Sequence, residues 1–323
     1  MRLATRRNAT RDGELVVVAP DGAHAAPAVG IAATMQAALD RWAEVEAPLR
    51  ALAARVAAGD APGLAPLPPE ALAAPLPRAW AWLDGSAYPS HGALMQQAFN
   101  LPPIETDRPL MYQGLSDRFL GPHDDVPLPS EADGIDFEGE FGVVTDDVPM
   151  GVSAADALGH VKLVGQINDW SLRTIAPIEM KTGFGWVQAK PACSAAPFAV
   201  TPDALGEHWR DGRISGTLRI DLNGERFGRV DSGTEMAFGF HELIAHAART
   251  RSLPAGTIIG SGTVSSRDYA AVGTSCLSER RAIDVIEGRA PTPFMRWGDR
   301  VRMEALVAGA PLFGVIDQRV VKA

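Results

Sequence analysis

Hydrophobic positions recur along this chain in two rhythms, and each predicts different elements. Met35, Leu39, Trp42, Val45, Leu49, Leu52 and Val56 are spaced three and four apart, one face of an amphipathic helix that stops near Gly59-Asp60. Ahead of it, short strand-like runs flank a turn at Asp12-Gly13, as in a hairpin, and the helix is expected to lie on this small β-rich start. Residues 61–77, "APGLAPLPPEALAAPLP", are too rich in proline for regular structure and read as a semi-rigid connector. The boundary they imply divides the chain into a small module over residues 1–75 and a larger domain over residues 76–323.

Beyond the connector the rhythm shortens. "FEGEFGVV", "HVKLVGQIN", "SGTLRIDLNGERF", "GTIIGSGTV", "DRVRMEAL" and "FGVIDQRVV" are strand-like stretches between Gly, Pro and Asp turns, with Asn223-Gly224 as a turn inside the third. Two helices interrupt them, one beginning near Ser153 and one in "FHELIAHAART". The fold class is therefore α+β, mainly β. The G-x-G of "GSGTVSS" lacks the third glycine and the strand-to-helix setting of a dinucleotide fingerprint, which excludes a Rossmann reading.

One alternation raises a chemical question. In "IDFEGEFGVV", Asp136, Glu138 and Glu140 share one strand face, with Phe137, Gly139 and Phe141 between them. If that face meets water, the stretch is an ordinary half-buried strand with an acidic edge. If it faces inward, a cation must offset three neighbouring carboxylates. A second acidic signal, Asp169 in "GQINDWSLRT", comes 29 residues after Glu140 at the end of a strand-like run, a separation that suits return to the same sheet. Two glutamates and an aspartate without His or Cys nearby in sequence form an all-oxygen set, suited to Mg²⁺, Mn²⁺ or Ca²⁺. By residue type alone, a solvated acidic face with Asp169 as a helix cap paired to Arg173 accounts for the same pattern.

Composition narrows the classes of partner. Of the 323 residues, 46% are hydrophobic and 21% charged, as in a globular protein, and no apolar run approaches the ~20 residues of a membrane span. The first twelve residues hold four arginines and no signal-like apolar core, which makes the cytoplasm the expected location. A net charge of −9 without a dense basic stripe argues against nucleic acid and leaves a small molecule as the expected ligand. Cys193 and Cys276 form no C-x-x-C, so neither a thiolate zinc site nor a disulfide framework is expected.

From about residue 80 onward, "FEGEFGVV", "NDWSLR", the lysine of "QAKP", "LNGERFGR" and "GTIIGSGTVS", in that order, resemble the fumarylacetoacetate hydrolase family. The separate β-rich start is similar to that of its longer, fumarylacetoacetase-like members. The resemblance implies a mixed β-sandwich or roll as the C-terminal domain, and a homodimer. It makes Glu138, Glu140 and Asp169 the ligands of a divalent metal, Mg²⁺ first. In "AYPSHGAL", Ser90 stands at the position read as the family's fourth carboxylate, which would leave Ser90 or water to fill that place. His91 keeps the family histidine and is the expected general base, but Leu94 replaces the glutamate that would complete a dyad with it. Lys190 would stabilise a developing oxyanion. Arg173 would bind a substrate carboxylate or hold Asp169. Tyr112, Thr263 and Glu279 would contact substrate. Asp136 is left without a ligand role, at the mouth of the site, and Gly139 as room for close packing behind it. The implied reaction is hydrolysis of a C–C bond in a β-diketo acid, an acylpyruvate or a fumarylacetoacetate-like compound. Hydration of 2-keto-4-pentenoates, tautomerisation and decarboxylation of 2-oxo acids on the same scaffold stay open, as does a non-catalytic ligand-binding role.

Overall fold

The computed structural model describes residues 1–100, 102 and 106–323. An eleven-stranded sheet starts at the N-terminal end with strands Ala65–Pro66, His24–Pro27, Glu14–Val18 and Arg2–Arg6. It crosses the short strand Ala199–Val200 and continues as Val161–Asn168, which also pairs with Ser194–Ala195, then Gly139–Thr145, Thr257–Gly260, Ala81–Gly85 and Met111–Gly114. A second sheet orders its five strands as Glu225–Asp231, Thr217–Leu222, Arg300–Val307, Ala310–Lys322 and Val126–Leu128. Phe141 and Val143 from the first sheet, and Phe137 just ahead of it in sequence, pack with Leu218, Ile220, Met303 and Phe313 from the second in one buried cluster. Gly139 permits that approach, because a Cβ there would stand 2.7 Å from Ile220 Cδ1 and 2.8 Å from Leu218 Cδ2.

The helix expected from Met35 onward forms as two pieces, Met35–Leu39 and Trp42–Ala58, the second ended by Gly59 in the left-handed region at φ 80°. Its buried Trp42, Val45, Leu49 and Val56 belong to one buried cluster with Leu3, Leu15, Val17 and Met35, and also with Val144, Leu163 and Ile258 from the middle of the sheet. The N-terminal residues thus share a core with the larger part of the chain. The proline-rich stretch is more fixed than a connector. Ala65–Pro66 pairs with His24–Pro27, Leu67, Leu72 and Leu76 are buried, and Thr5 Oγ1 donates to the Pro75 carbonyl at 2.6 Å. Proline removed donors, but the leucines between the prolines still had apolar area to bury.

The later strands form where the alternation placed them, and Asn223 (φ 53°) with Gly224 (φ 82°) makes the tight turn between Thr217–Leu222 and Glu225–Asp231. Helices Ala154–Ala157, capped by Ser153, and Phe240–Ala247 are present. Two further helices, Pro89–Phe99 and Leu277–Ile286, pack together through Leu94, Ala282 and Ile283. Among the described residues no helix is long and apolar enough to cross a membrane.

Candidate active site

The acidic stretch does not run as one strand. Ile135–Asp136 pairs with Ser171–Leu172, Phe137 interrupts, and Gly139–Thr145 resumes beside Val161–Asn168 with Glu140 opposite Ile167. The interruption separates the roles of the three carboxylates. Asp136, expected at the mouth, is fully buried and accepts from the backbone N–H of Leu277 at 2.7 Å and Ser278 at 2.9 Å. The first amides of a helix have no partner within it and attract an anion, so Asp136 fastens helix Leu277–Ile286 to the sheet.

Arg173 bridges Asp136 and Glu138, donating Nε to the first at 2.8 Å and Nη2 to the second at 2.6 Å. It makes no hydrogen bond to Asp169, one of the two roles expected for it. Glu138 also accepts from Thr263 Oγ1 at 2.8 Å, Ser171 Oγ at 3.1 Å and the Lys190 ammonium. Burial works to raise its pKa, but Arg173 and Lys190 outweigh burial and hold the carboxyl well below the usual carboxylate range. Lys190 also donates to Asp169 at 2.6 Å. Burial alone would discharge this lysine, yet Asp169 and Glu138 raise its pKa and keep it a cation.

Glu140 has the opposite surroundings. It is completely buried, and neither carboxylate oxygen has a hydrogen-bond partner. Burial, and then repulsion from Asp84 and Asp169, push its pKa well above the ordinary value. Oxygens of Asp84, Glu140 and Asp169 lie within 4.8 Å of one another. Such a group is costly to bury unless a cation joins it. Glu138 lies outside this trio, its oxygens engaged by side-chain donors.

Asp84 is the residue that sequence reading missed. Ser90, given the carboxylate's position, is buried with an unpartnered hydroxyl and does not line the cleft. Asp84 closes strand Ala81–Gly85, which runs parallel to Thr257–Gly260 with Asp84 level with Gly260. A Cβ on Gly260 would stand 2.2 Å from Asp84 Oδ1, and the Gly262 N–H donates to that same oxygen at 3.0 Å. The glycines of "GSG" therefore make room for a carboxylate. A signal did exist: an aspartate ending the apolar run "AWLDG", seven residues before His91.

His91 stands in the first turn of helix Pro89–Phe99 with Nδ1 3.0 Å from Glu279 Oε1. The dyad that looked broken at Leu94 is completed from the neighbouring helix. Glu279 is 1% exposed and stands behind His91, whereas a substrate contact was expected of it. The Cys276 Sγ lies in the same cluster, accepts from the Glu279 N–H at 3.4 Å, and is kept a thiol by burial. Tyr112 donates its hydroxyl to Asp169 at 2.6 Å, and Cys193 donates its thiol to the other oxygen at 3.1 Å. A cleft of about 340 Å³ is lined by Asp84, His91, Tyr112, Glu138, Glu140, Arg173, Lys190 and Thr263, among others, with Asp169 and Glu279 behind its wall. The nine residues given metal, catalytic or substrate roles by the sequence lie in or just behind this cleft, and Ser90 does not line it.

Residues 81–321 match the model described as fumarylacetoacetate (FAA) hydrolase C-terminal, and residues 1–78 match fumarylacetoacetase N-terminal domain 2. The chain belongs to the fumarylacetoacetate hydrolase family. Among curated relatives, 2,4-didehydro-3-deoxy-L-rhamnonate hydrolase of Sphingomonas sp. (strain SKA58) is 29% identical over 50% of this chain and 54% of its own length. The mitochondrial oxaloacetate tautomerase of Xenopus laevis is 25% identical over 62% of this chain and 56% of its own. The chain spans about half the length of the curated relatives it matches. Maleylpyruvate hydrolase from Sphingobium sp. SYK-6, solved with manganese(II) and pyruvate, shares the fold across the whole of both chains at 20% identity and a TM-score of 0.67. The fold is thus that of an enzyme family, with hydrolases, tautomerases and isomerases among the relatives and fold neighbours.

Proposed function

We propose that this protein is a divalent-metal-dependent hydrolase that cleaves a C–C bond in a β-diketo acid of the acylpyruvate type. The observation that carries the reading is the buried Glu140 carboxylate, unpartnered beside Asp84 and Asp169, in the same cleft as the His91–Glu279 pair. The donor set fits a hard dication: all oxygen, closely grouped, and short of positive charge. Asp84, Glu140 and Asp169 would hold it, with Glu138 alongside and Mg²⁺ or Mn²⁺ as the expected ions. When bound, it supplies Lewis acidity to the oxygens of a 2-oxo acid.

The protein's own groups do the proton work. A carboxylate only accepts hydrogen bonds, so Glu279 fixes the proton of neutral His91 on Nδ1 and leaves Nε2 as a base. His91 Nε2 takes a proton from water as its oxygen bonds to the acyl carbonyl carbon. The bond from that carbon to the pyruvyl methylene then breaks, its electron pair passing to the three-carbon fragment as an enolate. Reprotonation of that carbon gives pyruvate and a carboxylic acid. Lys190 has three N–H donors; Glu138 and Asp169 take two, leaving one for a substrate oxygen on which negative charge develops. The small-molecule substrate, a cytoplasmic setting and a homodimer complete the proposal.

Purified protein with Mg²⁺ and acetylpyruvate tests it: the enol absorbance should fall as pyruvate and acetate appear in equal amounts. Loss of the enol absorbance with no pyruvate formed would favour tautomerisation, the activity named for the oxaloacetate tautomerases among its relatives. No turnover of any 2-oxo acid would end the enzymatic reading.

A further inference from the structure

The cleft is uneven in character. Leu110 (44% exposed) and Met180 (60% exposed) leave apolar surface open beside it, and Met111 and Trp186 are partly buried in its wall. Trp186 is fixed in place. Its ring centroid is 4.8 Å from that of Tyr112, and the Glu179 carboxylate grips the following loop by accepting from the N–H groups of Val187, Gln188 and Ala189. The clamped Trp186 indole and the exposed Met180 thioether both line the cleft and offer a ligand apolar surface beyond the charged end.

The charges of the site point the same way. Asp84, Asp136, Glu138, Glu140, Asp169 and Glu279, the last against a neutral His91, face two cations, Arg173 and Lys190, each already bound to two of the first five carboxylates. A dication in the trio still leaves two negative charges in excess, and the headgroup carboxylate of a 2-oxo acid makes three. No other Lys or Arg lines the cleft among the described residues. The four residues outside the description, Leu101, Pro103, Ile104 and Glu105, carry no positive charge. A second carboxylate on the substrate would enter a negative field with no free cation to meet it.

We infer that the site takes a 2-oxo acid whose far arm is uncharged and apolar, an alkyl or aryl group lying between Trp186 and Met180, in preference to one that ends in a second carboxylate. This rests on the 2-oxo acid reading above and narrows it to acylpyruvates with an apolar acyl group.

Equilibrium binding to the Mg²⁺-loaded protein tests it without turnover. Calorimetric titration would compare pyruvate, 2-oxo-4-phenylbutanoate and 2-oxoglutarate, which share the headgroup and differ in the arm. The phenyl compound should bind about tenfold or more tighter than pyruvate, as burial of an aromatic ring implies, and 2-oxoglutarate no tighter than pyruvate. Trp186→Ala should shrink the phenyl advantage severalfold, and Met180→Arg should raise affinity for 2-oxoglutarate relative to pyruvate. If 2-oxoglutarate outbinds the phenyl compound, or the phenyl advantage is unchanged by Trp186→Ala, the inference falls while the 2-oxo acid reading stands. If none of the three binds, pyruvate included, that reading falls as well.

Discussion

Glu138 and Glu140 are two residues apart, both buried, and their carboxyls shift in opposite directions. The cause is what each faces: Glu138 meets Arg173 and Lys190, and Glu140 meets other carboxyls. Their substitutions should therefore fail differently. Glu140→Gln should abolish divalent-metal stabilisation, weakening affinity beyond the ~10–100-fold typical of an outer-shell partner, while the metal-free protein stays folded. Glu138→Gln leaves buried Lys190 and half-buried Arg173 short of an anion and should destabilise the fold by about 3–5 kcal/mol, measurable by denaturant titration. Equal effects of the two on metal binding and on stability would refute this division. At His91 the expected loss on substitution by Ala is about 10²–10⁴ in kcat with acetylpyruvate, the usual worth of a positioned general base. Full activity of that variant would require another base.

Among the elements, strand Thr257–Gly260 decides whether Asp84 can reach the site. Gly260→Ala would put a methyl group 2.2 Å from Asp84 Oδ1 and 2.3 Å from the ring of buried Trp82, although the backbone of Gly260 itself needs no left-handed conformation. The variant should lose stability as well as most of its metal affinity, and calorimetry with Mn²⁺ on the fraction that stays folded would show the second; unchanged affinity would remove Asp84 from the proposed ligand set. Element by element, the strands were legible because alternation records which face is buried, and Asn223-Gly224 marked its own turn. Helix Leu277–Ile286 was not legible. Its polar "SERR" weakens the apolar rhythm, and its start depends on Asp136, 141 residues away from Leu277. A still longer separation, 188 residues, hid Glu279 as the partner of His91.

For the whole molecule, the core shared by the N-terminal helix and the central strands predicts that residues 79–323 alone will not fold cooperatively. Removing Leu3, Leu15, Met35, Trp42, Val45 and Leu49 takes away much of the cluster that also holds Val144, Leu163 and Ile258. A sharp thermal transition of the truncated chain would contradict this. Metal binding should also carry a signed pH dependence. In the metal-free protein the Asp84 and Glu140 carboxyls are raised by burial and then by repulsion from neighbouring carboxylates, Asp169 among them, so the folded chain keeps protons that the unfolded chain releases near its ordinary value of about 4. Their contribution to stability is full below that value and is lost as pH rises through the folded values. A dication competes with those protons, so its stabilising effect should grow with pH. The rise in Tm on adding Mg²⁺ should be small near about pH 5 and larger near about pH 8, where saturation at ~100 times Kd stabilises by about 2.7 kcal/mol. A shift that does not vary with pH would argue against carboxyls of raised pKa as the ligands.

Sequence by itself determined what is local or ordered along the chain: strand alternation, the helix ending at Gly59, the run of family motifs and the acidic pair of Glu138 and Glu140. Periodicity and residue order are properties of neighbours. Only the tertiary structure decided which carboxylates stand without a counter-charge, that Asp84 and not Ser90 joins them, and that Glu279 backs His91. Those assignments depend on burial and on through-space charge, which are fixed by strands and helices that meet from distant parts of the chain.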